Sequence, residues 1–180
     1  CGLGPTKVKC GVQGGVNESQ IPKLVRQFRG TGTIVRFIEF MDVGRTNGWT
    51  PGQVVPTSEI LDFLSKEFDL VPIMRDSPSD VASRWGHSDG SGEIGFISSV
   101  SQPFCGDCVR ARLSSDGKLL TCLFTTIGHD MSERIKEGGD ASNLTESIKE
   151  VWTRRSDRYS EARSSDALSL PRVEMSYIGG

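Results

Sequence analysis

Residues 34–40 read Ile34-Val35-Arg36-Phe37-Ile38-Glu39-Phe40 (IVRFIEF), a nearly continuous apolar and partly β-branched run. Such a run predicts a strand covered on both faces of a parallel sheet. Upstream, Lys7 to Val12 alternates weakly and ends before Gly14-Gly15. Asn17 is then placed to cap a helix whose apolar positions Ile21, Leu24, Val25 and Phe28 follow the 3.6-residue period. Downstream comes a loop with Gly44, Asn47, Gly48, Pro51 and Gly52. Thr57 or Ser58 can cap the next helix, which carries Ile60, Leu61, Leu64 and Phe68. Residues 1–68 therefore read as two βα units of an α/β fold, too few to close a barrel alone.

Beyond residue 69 the pattern changes. Leu70 to Met74, Glu93 to Val100 and Arg110 to Phe124 read as strands, the last split by the hairpin signal Ser115-Asp116-Gly117-Lys118. This half reads as antiparallel. Ser142 or Asn143 caps a predicted helix with Leu144, Ile148, Val151 and Trp152, and Asn143 and Glu146 have capping-box spacing. A charged stretch from Arg154 to Asp166 precedes a short final strand and Gly179-Gly180.

The balance of 21 Lys+Arg against 23 Asp+Glu leaves no basic excess for a phosphate backbone, so nucleic acid is not expected as a partner. No apolar run approaches the roughly 18 residues of a membrane span. The opening CGLGPTKVKCG lacks the hydrophobic core of a signal peptide. A cytoplasmic location is expected. The chain starts at Cys1-Gly2-Leu3 without Met, which reads as missing upstream sequence and leaves organellar targeting open. Five cysteines, unevenly spread, do not resemble a disulfide framework and point to a reducing compartment and a metal site.

That site is sought in Phe104 to Phe124, FCGDCVRARLSSDGKLLTCLF. Cys105 and Cys108 form a CxxC pair, and the hairpin around Asp116-Gly117 can fold Cys122 back beside them. Three readings compete. One is a zinc site completed by a fourth ligand such as His129, and another is a redox pair with Cys122 merely packed. The third is a four-iron cluster on three thiolates, with one iron open to a ligand. Arg110 and Arg112, at i and i+2 of a strand, would face the same way. Two guanidiniums there suit a phosphate-bearing ligand.

The same stretch, with RFIEFMDVG at Arg36 to Gly44 and the terminal MSYIGG, resembles the C-terminal half of the GTP 3′,8-cyclase family. These are radical S-adenosylmethionine enzymes of molybdenum-cofactor synthesis. The resemblance implies the last βα units of an incomplete TIM-type barrel (1–68). An antiparallel α+β domain carrying a 4Fe-4S cluster (69–180) would follow. It implies that Cys105, Cys108 and Cys122 ligate the family's second 4Fe-4S cluster. Lys7, Arg110, Ala111 and Arg112 would bind GTP, and Met41, with Arg36 as a further candidate, would bind S-adenosyl-L-methionine. Gly179 and Gly180 would reach into the active site as a catalytic tail. Lys9 departs from the Asn that the family more often has.

The reaction implied is conversion of GTP to (8S)-3′,8-cyclo-7,8-dihydroguanosine 5′-triphosphate. The family's first cluster motif, CxxxCxxC, does not occur in this sequence, so the chain is expected to be inactive alone. Expected partners are GTP, an N-terminal radical S-adenosylmethionine half, a second copy in a homodimer, and a downstream cyclic pyranopterin monophosphate synthase. The alternatives are a non-catalytic module stabilised by zinc or an iron–sulfur cluster, and a modifier or sulfur carrier activated at its Gly-Gly end.

Overall fold

The computed structural model describes residues 4–136, 141–163 and 173–178. The chain divides into two compact units, Cys1–Met41 with Trp49–Asp107, and Asp42–Gly48 with Cys108–Gly180.

The first unit contains β1 (Lys7–Val12), α1 (Ile21–Phe28), β2 (Ile34–Glu39), α2 (Thr57–Leu64), β3 (Leu70–Ile73), β4 (Ser83–His87) and β5 (Glu93–Ile97). They form a mixed α/β unit on one five-stranded sheet in the order β1-β2-β5-β4-β3. β2 is flanked in parallel by β1 and β5, while β4 pairs antiparallel with both β5 and β3. Two expectations are corrected here. β5 lies parallel beside β2, and the strands expected to open an antiparallel domain at residue 69 belong to the first sheet. The missed element is β4, SRWGH, whose Ser, Gly and His hide its strand character. It carries the chain back from the sheet's edge to the slot beside β2.

Burial along β2 alternates, with Val35, Phe37 and Glu39 buried and Ile34, Arg36 and Ile38 half-buried. The strand is therefore not sealed on both faces as IVRFIEF suggested. Its buried face packs with Val12, Ile94 and Phe96 against Ile21 and Val25 of α1, Ile60 and Leu64 of α2, and Phe68. Each such side chain contributes about 1.5–3 kcal/mol on leaving water. The other face carries Lys7, Lys9 and Arg36.

Neither first-unit helix has a side-chain cap. Asn17 instead ties the β1 loop together, accepting from the Gln13 N–H at 2.8 Å and donating to the Gly11 carbonyl at 2.8 Å. Pro56 holds the N-cap of α2, and Thr57 turns inward to Glu39.

Glu39 is only 2% exposed, and a carboxylate buried to that extent needs its lone pairs filled. Its Oε2 accepts from the Val100 and Ser101 N–H groups, each at 2.8 Å, and its Oε1 accepts from the Thr57 N–H at 3.0 Å. The Thr57 and Ser101 hydroxyls also donate to it. One side chain thus joins the end of β2, the start of α2 and the loop after β5 that leads to Cys105.

The second unit holds a small antiparallel sheet of β6 (Arg112–Leu113), β7 (Lys118–Leu120) and β8 (His129–Asp130), with α3 (Ser132–Lys136) and α4 (Ala141–Thr153). The expected hairpin is present, but its strands are far shorter than Arg110 to Phe124. The hydroxyl of Ser114 bonds the Asp116 carboxylate and closes the turn. α4 starts at Ala141, ahead of both expected caps; of the stretch expected to hold a final strand, Met175–Ile178 is a 3-10 turn and 167–172 lie outside the described residues. Gly179 and Gly180 lie outside the described residues.

The 42–48 loop is fastened within this unit. Asp42, fully buried, pairs with Arg163 at 2.9 Å and accepts from the Tyr159 hydroxyl at 2.8 Å. Tyr159 stacks on Phe124 with ring centroids 4.5 Å apart. Glu174 accepts from the Arg45 N–H at 2.7 Å and sits over Gly44, whose φ of +74° disfavours other residues. A Cβ there would lie 2.3 Å from the Glu174 carboxylate. Among the described residues no helix is long and apolar enough to cross a membrane.

Candidate metal and nucleotide site

In the second unit the chemistry gathers around Cys108. Its half-buried sulfur accepts from Arg110 Nε at 3.4 Å, and Arg155 donates to its carbonyl. Burial pushes the Cys108 thiol up, but the Arg110 backbone N–H, the Arg110 guanidinium and Arg155 together outweigh it. The net shift is downward, towards the thiolate that binds metals.

Arg112, half-buried on β6, is held below the usual guanidinium value by burial and by the Arg110 charge, while Cys108 and Cys122 oppose that shift. One guanidinium thus senses two of the three predicted thiols. Arg110 precedes β6 and is not its strand neighbour, so the i, i+2 argument fails as stated. Arg110 is turned onto the Cys108 sulfur. Ala111 lies exposed between the two arginines.

Cys122, half-buried, follows β7, and Cys105 belongs to the first unit, in the loop beyond β5. None of Cys10, Cys105, Cys108 and Cys122 is in a disulfide. Among the described residues no group of three or more His, Cys, Asp or Glu side chains is arranged to hold a metal ion. His129 is exposed on β8 and lines a cavity of about 450 Å³ with Thr121, Glu150, Arg154, Arg155 and Asp157. The structure does not gather it with the cysteines. The chemistry of the donor set still fits a thiolate-bound cluster, since Arg110 and Arg155 favour the charged form of Cys108 and the two guanidiniums of Arg110 and Arg112 offset negative charge.

In the first unit the open sheet face carries the remaining candidates. Register places Lys9 beside Arg36, Arg36 beside Gly95 and Gly95 beside Arg84. Lys7, two residues before Lys9, points to the same face. A Cβ at Gly95 would come within 3.1 Å of Arg36 Cγ, so the glycine makes room for that side chain. Arg36 Nε is buried without a hydrogen-bond partner. Arg84, by contrast, is committed to Glu93 at 2.8 Å and Asp76 at 2.7 Å. Met41, half-buried, lies just past β2.

Sequence reasoning missed Glu39, Asp42, Arg155 and Asp157. A lone acid inside IVRFIEF was the available signal for Glu39. Nothing local distinguishes Arg155 from Arg154.

Residues 33–161 match the family model described as Molybdenum Cofactor Synthesis C. The chain belongs to that family. It is 48% identical over 179 residues to a GTP 3′,8-cyclase of Xanthomonas campestris pv. campestris, covering 99% of this chain and 52% of that protein. It is 40% identical to the GTP 3′,8-cyclase of Acidothermus cellulolyticus, covering 99% of this chain and 56% of the relative. For the Synechococcus protein of the same name the identity is 43%, covering 98% and 51%. The chain spans about half the length of these curated relatives and corresponds to their C-terminal half.

Proposed function

We propose that this chain is the substrate-holding portion of a GTP 3′,8-cyclase. The observation that carries the reading is the cationic surrounding of Cys108. Arg110 sits on its sulfur and Arg112 is close enough to sense both Cys108 and Cys122. Thiolates with paired guanidiniums suit a ligand that brings both a metal-binding base and phosphates.

In this reading Cys105, Cys108 and Cys122 hold a 4Fe-4S cluster. The cluster supplies an open Lewis-acidic iron for the guanine of GTP. Arg110 and Arg112 bind the phosphates, with the Ala111 backbone between them, and Lys7 adds a further cation. Arg36 and Met41 serve the S-adenosyl-L-methionine side of the complete enzyme. Gly179 and Gly180 form a tail able to approach substrate closely, since glycine has no side chain to obstruct it. The protein's own contribution is to orient GTP and neutralise its charge. Conversion to the 3′,8-cyclo nucleotide needs a CxxxCxxC segment, which this sequence lacks.

Anaerobic reconstitution with iron and sulfide tests the assignment. About one four-iron cluster per chain is expected, and Cys122→Ser should abolish it. A colourless, zinc-loaded protein would favour a metal-stabilised scaffold. Loss of the cluster in Cys1 or Cys10 variants, with retention in Cys122→Ser, would overturn the ligand set.

A further inference from the structure

We propose that Arg155 and Asp157 are positioning residues that brace the two thiol-bearing segments of the second unit, holding Cys108 and Cys122 at a fixed spacing. The proposal rests on the reading above for its purpose, and on the following contacts for its geometry.

Neither thiol lies in a strand. The hairpin between them has only two paired positions in β6 and β7, Arg112 with Leu120 and Leu113 with Leu119. A hairpin that short is marginal by itself and cannot fix what lies beyond its ends. The missing constraint comes from the turn after α4. Arg155 Nη1 donates to the Cys108 carbonyl, and its Nε forms an ion pair with Asp157 Oδ2 at 3.4 Å, without hydrogen-bond geometry. The same Asp157 oxygen accepts from the Thr121 hydroxyl at 2.5 Å. Thr121, buried, is bonded directly to Cys122. The connection therefore runs from Cys108 through Arg155 and Asp157 to the residue before Cys122.

Two features make this connection stiff. The Arg155 side chain is 11% exposed and lies over the Trp152 ring, 4.8 Å from its centroid, so much of its rotamer freedom is already lost. A planar guanidinium also directs two contacts from one rigid group, which an ammonium cannot do. Arg154, one residue earlier and just past α4, is exposed and pairs with Glu150 of that helix at 2.9 Å. It serves as the internal control.

The test uses the metal-free chain with Cys1, Cys10 and Cys105 changed to Ser, leaving Cys108 and Cys122. Dibromobimane becomes fluorescent when it bridges two neighbouring thiols, and monobromobimane reports the access of each thiol singly. Efficient bridging is expected in this parent. Arg155→Ala and Thr121→Val should each lower the ratio of bridged to singly alkylated protein on the order of ten-fold, the scale of one charge-assisted hydrogen bond. Arg155→Ala with Asp157→Asn should be no worse than either alone, because both interrupt one connection. Arg155→Lys should recover the ratio only in part, and Arg154→Ala should leave it unchanged. Circular dichroism identifies any variant that fails to fold. If Arg155→Ala is such a case, Thr121→Val decides. Absence of bridging in the parent, or an unchanged ratio in both folded variants, overturns the proposal. Arg155-dependent bridging, together with no iron taken up by the chain that keeps all five cysteines, would leave the brace standing and remove the cluster reading.

Discussion

At the scale of single residues, three side chains carry the sharpest expectations. Glu39 fills its lone pairs with backbone N–H groups of Thr57, Val100 and Ser101. Glu39→Gln keeps the shape but turns an NH₂ towards donors, leaving buried N–H groups unpaired. Stability to urea should fall by about 2–3 kcal/mol, and a loss below about 0.5 kcal/mol would show that water relieves the site. In the proposed reading, Arg110 and Arg112 bind the phosphates of GTP. Alanine at either should weaken GTP binding roughly ten-fold or more relative to guanosine, as expected for a lost guanidinium–phosphate contact. Equal losses for the two ligands, read by calorimetry on the reconstituted protein, would remove the phosphate role.

At the scale of elements, β4 brings a buried imidazole into the first unit. His87 is 5% exposed and sits edge-on to Phe68, with ring centroids 5.6 Å apart. Burial pushes its pKa down, the Arg29 charge adds to this, and Asp89 opposes it. The folded state therefore binds a proton less readily than the unfolded chain, whose imidazole titrates near 6.5. Stability is full above that value and is lost as pH falls below it. His87→Gln should flatten the fall in urea midpoint between pH 7 and pH 5, and an unchanged slope would assign the loss elsewhere. In the 42–48 loop, Gly44→Ala demands both a left-handed alanine and displacement of Glu174. A cost of about 1–3 kcal/mol is expected, seen as a lower melting temperature.

At the scale of the whole molecule, the division of labour is itself testable. β1 is an edge strand, and its exposed Lys7 and Lys9 leave a partly charged margin. An unpaired edge is prone to association. The reconstituted chain with reductant and S-adenosylmethionine should release no 5′-deoxyadenosine by chromatography. Under the proposed function, adding a separately produced N-terminal half of a relative should reduce self-association of the chain and give turnover of GTP. Turnover by this chain alone, above a metal-free control, would overturn the assignment of roles.

The sequence by itself determined the βα start, the hairpin at Asp116-Gly117 and the family. These are local signals, written as periodicity, turn chemistry and spacing. Only the tertiary structure decided that β5 enters the first sheet parallel to β2, since strand pairing is a contact between distant residues that no short window records. It also decided that β2 is sealed on one face alone, because burial depends on what packs there and not on the strand's own composition. The same reason hid Arg155 and Asp157. Their value lies in contacts with Cys108 and Thr121, which only the folded chain brings within reach.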